Sequence, residues 1–416
     1  MKTAVLRVEV DEQGHLILPP DLMKRWGLVP GSAIRLEEGA NRLALLRSNA
    51  SLARVNIEPT NICNLDCRIC MRNVWDETPG MMSSQTFARI MDGIGEFSPV
   101  PSLFFGGYGE PLAHPDILEM IAAAKRSGTV VELITNGILL NEAVAQRMID
   151  LGLDRLWVSI DGATPASYAD VRLGDALPQV IANLTCLKER RALSGADYPR
   201  LGIAFVAMRR NIADLPAVVR LGKRLGADQF SVSNVLPHTP ELQEQILYAH
   251  SMFDGDLQPS QWAPIISLPR MDLNELTIER LAAILKGRNR LDVVGQPLDL
   301  GANTCPFVAK GSLSIRWDGA VSPCLPLMHS HPAFVGENRR QSQAFSVGNI
   351  HQASLAVLWN QPDYVELRQR LQDFDFSPCT FCNSCEMAED NREDCFGNVL
   401  PACGGCLWAQ GFIQCP

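Results

Sequence analysis

Apolar residues along the chain fall into short runs of two kinds, and their alternation sets the first expectations. Runs rich in β-branched and aromatic residues, at 55–57, 102–105, 130–134, 156–160, 201–206 and 230–233, read as strands. Between them apolar residues recur at helical spacing, as in Ile117-Leu118-Glu119-Met120-Ile121-Ala122 and Leu215-Pro216-Ala217-Val218-Val219-Arg220-Leu221. Six successive strand–helix units predict a parallel sheet covered by helices, an α/β fold of the partial (β/α)6 TIM-barrel type over residues 51–240. In such barrels the chemistry sits on the loops that follow the strands. The polar and glycine-rich clusters fall there: Glu58-Pro59-Thr60-Asn61, Gly106-Gly107-Tyr108-Gly109-Glu110, Thr135-Asn136-Gly137 and Asp161-Gly162.

The flanks follow other patterns. Residues 1–50 carry alternating segments around the turn Asp11–Gly14, then a helical piece over Asp21–Leu28 opened by Pro19-Pro20. The turn Pro30-Gly31 leads into two more strand-like runs, 33–36 and 43–46. A unit this small buries little surface alone, so it is expected to self-associate or dock. Residues 241–304 complete the barrel or link it onward, with a loop at Pro237–Pro240 and a helix over 276–285. Beyond residue 305, short strands, turns and cysteines predominate; such a segment needs metal staples in place of a large core.

Composition narrows the class. The 416 residues are 46% hydrophobic and 20% charged, which excludes wholesale disorder. A net charge of −9 disfavours a surface built to grip DNA. No apolar run approaches the ~20 residues of a membrane span, and the N-terminus lacks a signal peptide's apolar stretch. A cytoplasmic protein with no membrane contact is expected. Thirteen cysteines are unevenly placed: three at 63–70, one at 186 and nine between 305 and 415. In a reducing compartment such clusters point to metal or iron–sulfur ligation rather than disulfides.

Cys63-x3-Cys67-x2-Cys70 follows the first barrel strand. Three thiolates on one loop can hold three irons of a cube and leave the fourth iron open, as a catalytic metal requires. A zinc loop completed by a distant ligand is the alternative. The spacing and position resemble the radical SAM superfamily. That resemblance implies a [4Fe–4S] cluster whose fourth iron chelates the amino and carboxylate groups of S-adenosylmethionine (SAM). An electron then splits the sulfonium to a 5′-deoxyadenosyl radical, which abstracts hydrogen from substrate. Gly106-Gly107-Tyr108-Gly109-Glu110-Pro111 resembles the family's glycine-rich motif, where bare backbone approaches the SAM ammonium group. The resemblance also implies cofactor contacts from Gly107, Gly109, Glu110, Asn136, Ser159 and Asp161. Arg172 resembles the arginine that pairs with the SAM carboxylate, a bidentate task suited to guanidinium.

Cys305-x13-Gly319-x4-Cys324 resembles the opening of the SPASM domain, an auxiliary-cluster module. Cys379-x2-Cys382-x2-Cys385-x9-Cys395 and Cys403-x2-Cys406-x8-Cys415 follow, departing from the module's usual middle spacings. These nine cysteines are implied ligands of one or two auxiliary [4Fe–4S] clusters, with no partition readable. A zinc ribbon of Cys379 and Cys382 with Cys403 and Cys406 is the alternative. Cys186, mid-helix, reads as a buried apolar residue. His15 reads as a surface residue beside a turn, and the other histidines, His329 and His331 included, read as structural.

Residues 1–50 are similar to AbrB-type swapped-hairpin domains, which are dimeric and often bind DNA. Seven Lys or Arg against six acids there favour dimerisation or substrate docking over operator binding. The whole chain most resembles radical SAM/SPASM maturases associated with tungsten-containing oxidoreductases of the aldehyde ferredoxin type. The carriers are the N-terminal hairpins, Cys63–Cys70 and Cys403-Gly404-Gly405-Cys406-Leu407-Trp408-Ala409-Gln410-Gly411. The resemblance implies a protein or peptide substrate, possession of a low-potential donor such as ferredoxin or flavodoxin, and a homodimer. Two rivals remain at this point: the same chemistry on a small metabolite, and a zinc-stabilised AbrB-like DNA-binding regulator.

Overall fold

The computed structural model describes residues 8–20, 22–23, 34–39, 42–46, 51–248, 264–272, 274–285, 290–293, 296–297, 304–335, 338–377, 379 and 385–416. Two antiparallel hairpins open the chain: β1 (Glu9–Val10) with β2 (Leu16–Ile17), and β3 (Arg35–Gly39) with β4 (Arg42–Leu46). Most of the expected helical piece 21–28, and the Pro30-Gly31 turn, lie outside the described residues.

The six expected barrel strands form β5 (Arg54–Ile57), β6 (Ser102–Phe105), β7 (Val131–Thr135), β8 (Arg155–Ser159), β9 (Arg200–Ala207) and β10 (Ala227–Asn234). Each pairs in parallel with the next. Their apolar positions are buried because helices cover the sheet; Leu103, Phe105, Val131, Leu133, Leu156 and Val158 are all at most 1% exposed. Ser83 and Asn141 start two of those helices by accepting from Thr86 N and Val144 N. Two of the expected helical runs lie within Ile117–Arg126 and Leu215–Leu225, and the helix expected over 276–285 forms over Ile278–Leu285.

The sheet is wider than the six-strand expectation. β11 (Ile265–Leu268) and β12 (Arg290–Val293) continue it in parallel, and β13 (Gln296–Pro297) closes that edge antiparallel. At the other edge β14 (Ser312–Ile315), from the Cys-rich segment, lies parallel to β5. It is followed by β15 (Ala320–Ser322), a separate hairpin of β16 (His331–Val335) and β17 (Asn338–Ser342), and β18 (Gly348–Asn349) beside β15. The Cys-rich segment is therefore built onto the sheet rather than hung from it.

The C-terminal run returns to the barrel. Gln414 Nε2 donates to Val232 O (2.7 Å), Asn234 Nδ2 to Phe412 O (2.8 Å), and Arg54 Nη2 to Pro416 O (3.1 Å). Cys186 differs from its expected burial: it is half-buried on the helix Leu177–Leu193. Leu184 and Leu187 occupy the inward stripe, and position 186 falls off it. Among the described residues no helix is long and apolar enough to cross a membrane.

Candidate functional site

The loop leaving β5 is held by its own side chains. Thr60 Oγ1 donates to Gly80 O (2.7 Å) and accepts from Ile62 N (3.0 Å). Asn61 Oδ1 accepts from Gly80 N at 2.7 Å. The loop so fixed carries Cys63, Cys67 and Cys70 to the rim of a cavity of about 300 Å³ beyond the strand ends. Gly107, Gly109, Glu110, Asn136, Ser159 and Arg172 line the same cavity. The cluster loop and the expected cofactor contacts, up to 109 positions apart in sequence (63 to 172), thus meet on one concavity.

Each of the three sulfurs has a nitrogen donor. Asn136 Nδ2 lies 3.8 Å from Cys63 Sγ, Arg172 Nη1 3.7 Å from Cys67 Sγ, and Arg72 Nε 3.3 Å from Cys70 Sγ. Burial pushes the Cys63 and Cys67 thiols up, while Arg72 and Arg172 respectively pull the other way. Donors to sulfur tune an iron–sulfur centre and favour the thiolates a metal needs. Among the described residues no three metal-ligating side chains converge as they would on one ion. Three thiols of one loop, each with its own nitrogen donor, fit a cube that takes each thiol on a different iron.

Arg172 is built in from behind. It forms an ion pair with Asp161, which is fully buried and also accepts from Val206 N at 2.7 Å. Burial alone would lower the Arg172 pKa, but Asp161 and Cys67 hold it above its usual value. Among the described residues Arg172 Nε is buried without a hydrogen-bond partner. Asp161, an expected SAM contact, is not among the cavity-lining residues; its carboxylate faces Arg172 and β9 instead. Glu110 does line the cavity, yet accepts from Leu112 N, Thr135 Oγ1 and Asn136 N at 2.7–3.0 Å. Burial raises its pKa against the pull of those donors.

The glycines are required by the protein's own packing. A Cβ at Gly109 would strike the Thr60 carbonyl and lie 2.7 Å from Ile62 O, both in the cluster loop. Gly107 has φ +94°, and a Cβ there would come 2.6 Å from Glu58 Cγ. The bare backbone is demanded by the chain that carries the thiols. Gly109→Ala is expected to cost about 1–3 kcal/mol of stability and to displace Ile62-Cys63. Iron content and a denaturation midpoint check this, and full iron with an unchanged midpoint contradicts it.

A buried network that spacing gave no sign of joins the site to the Cys-rich segment. His329 Nε2 meets Glu58 Oε2 (3.0 Å), 271 residues earlier, and Nδ1 meets Glu77 Oε2 (2.6 Å). The ring stacks on Trp75 at 4.1 Å, and Tyr108 packs edge-on. Burial opposes the charged imidazole, but Glu58 and Glu77 raise its pKa overall. His329 is thus a brace between the β5 loop, the glycine loop and the chain after Cys324.

The tail cysteines separate. Cys305, Cys324, Cys403 and Cys406 line a second cavity. Cys379 and Cys395 flank Ser377 Oγ at 3.7 and 3.1 Å, and Cys385 is exposed. Cys415 lines the barrel cavity. Cys382 lies outside the described residues.

Residues 57–192 match the radical SAM superfamily, and residues 305–386 match the SPASM iron-sulfur cluster-binding domain. The chain belongs to the radical SAM superfamily and is an enzyme of that class with a SPASM domain. It is 30% identical over 365 residues, 86% of this chain and 96% of the relative, to the tungsten-containing aldehyde ferredoxin oxidoreductase cofactor-modifying protein of Pyrococcus furiosus. It is 29% identical, over 79% of each chain, to the PqqA peptide cyclase of Granulibacter bethesdensis. Streptococcus suis SuiB bound to S-adenosylmethionine shares the fold, with a TM-score of 0.54 at 16% identity over 83% of this chain and 73% of that one. The radical SAM domain binds a [4Fe–4S] cluster and SAM, and the SPASM domain binds auxiliary clusters.

Proposed function

We propose that this enzyme is a maturase that modifies a protein or peptide, namely a tungsten-containing oxidoreductase of the aldehyde ferredoxin type or its cofactor. The supporting observation is the convergence of three donor-bonded thiols with an Asp161-anchored guanidinium on one cavity, in a chain alignable with 96% of the Pyrococcus relative. Cys63, Cys67 and Cys70 hold the barrel cluster. When bound, that cluster supplies the electron that cleaves SAM to methionine and a 5′-deoxyadenosyl radical. Arg172 binds the SAM carboxylate through its unpartnered edge, and Asn136, Ser159 and the Gly107–Gly109 backbone orient the rest. Glu110 and Asp161 act behind them by fixing Asn136 and Arg172.

Residues 51–240 form the catalytic core in this reading, 241–304 complete it, and 305–416 carry the auxiliary clusters. Ferredoxin or flavodoxin supplies electrons. Residues 1–50 make a homodimer, a role suited to the apolar Val10, Leu16, Ile17 and Leu36, which are 45–64% exposed. The test is anaerobic turnover with SAM and a low-potential donor. Deoxyadenosine formation is expected to rise at least tenfold when the apo-oxidoreductase is added. Equal stimulation by small metabolites, with none by the protein, would reassign the substrate.

A further inference from the structure

Four of the nine tail thiols are set apart by the fold. Cys305 caps the short helix Pro306–Ala309, and Cys324 precedes the turn Leu325–Met328. Cys403 and Cys406 share a tight turn in which Cys406 N donates to Cys403 O at 3.0 Å. These two pairs come from opposite ends of the segment and bracket Cys379–Cys395 in sequence. Yet all four line one cavity of about 60 Å³, whose other walls include Phe307, Leu327, Leu407 and Trp408. Arg340 also lines this cavity, 4% exposed, and among the described residues donates only to the carbonyls of Ala388 and Ala402. Among the described residues no carboxylate pairs with it. A buried guanidinium without an anion is costly. Four thiolates on an iron–sulfur cube supply the missing negative charge.

We propose that Cys305, Cys324, Cys403 and Cys406 are the four ligands of one closed auxiliary [4Fe–4S] cluster, with Arg340 as its buried counter-charge and Cys415 outside the set. This deepens the reading given above, since it says which thiols serve the SPASM domain's cofactor. Cys415 is excluded by place: it lines the barrel cavity, and the C-terminal run holding it is tied to β10 by Gln414. A ribbon pairing Cys379 with Cys403 and Cys406 is disfavoured, because Cys379 is not among the residues lining the cavity those two share.

The test is iron analysis and EPR of the full reconstituted chain, with zinc measured alongside. Cys324→Ala and Cys403→Ala are each expected to lose about four irons and the same reduced-state signal. The double variant is expected to lose no more than either single one. Cys415→Ala keeps every iron. Additive losses, iron loss in Cys415→Ala, or zinc in place of iron overturns the assignment. Should a variant fail to fold, alkylation of the wild-type chain decides instead: reconstitution must protect these four cysteines as a group. Arg340→Met is expected to shift that one signal and leave the barrel cluster's SAM-dependent signal unchanged; an unaltered auxiliary signal removes the counter-charge role. The barrel signal is read separately throughout, so failure here leaves the SAM-cleaving assignment standing.

Discussion

Replacing Cys63, Cys67 and Cys70 together by alanine reduces 5′-deoxyadenosine formation to the level without enzyme, while the absorbance of the auxiliary clusters persists. The loop that carries the three thiols is pinned by Thr60 and Asn61, whose partners are backbone groups of Thr78 and Gly80. None of those bonds uses a cysteine side chain, so the loop keeps its course when the sulfurs are removed. Cys67 is the only buried member of the three, and its loss leaves Arg172 still paired with Asp161. The effect is therefore chemical rather than a general loss of fold. Chromatographic assay of deoxyadenosine, with iron counted on the same sample, checks it. Continued SAM cleavage in the triple variant would remove the barrel cluster from the mechanism.

The parallel strands were legible because burial on both faces forces near-continuous apolar runs, as in Ser102-Leu103-Phe104-Phe105. The thiol loop was legible because a cluster's ligands lie close in sequence. β11 and β12 were missed; each is only four residues long, the first held between Pro264 and Pro269 and the second ending just before Gly295, too short to show a period. β14 was missed for another reason, since its pairing with β5 joins residues 258 apart, as in Ser314 and Asn56. The same holds for His329, whose partners Glu58 and Glu77 carry no local sign of it. Cys305 and Cys324 share a cavity with Cys403 and Cys406 across an intervening cysteine run, so spacing alone offered no partition. Local chemistry shows in sequence order, whereas closure of a site by distant chain needs the fold.

Asp161→Asn separates the support of the SAM site from its contact surface. Asp161 is fully buried, and its charge faces the Arg172 guanidinium, itself only 11% exposed at the side chain. Asparagine keeps the shape and can still accept from Val206 N, but leaves Arg172 as an uncompensated buried cation. Breaking such a pair costs about 3–5 kcal/mol, read as a lower chemical-denaturation midpoint. SAM cleavage falls with it, because the guanidinium loses the anchor that aims it into the cavity. Removing both charges distinguishes the two effects. Asp161→Asn with Arg172→Met is expected to regain most of the stability, since a neutral pair of similar volume carries no desolvation penalty. The double variant still binds SAM poorly, because no cation remains for the carboxylate. Equilibrium dialysis of SAM against the midpoints of the single and double variants makes the comparison. A single variant as stable as wild type, or a double variant with wild-type SAM affinity, would show that Arg172 neither depends on Asp161 nor serves the cofactor.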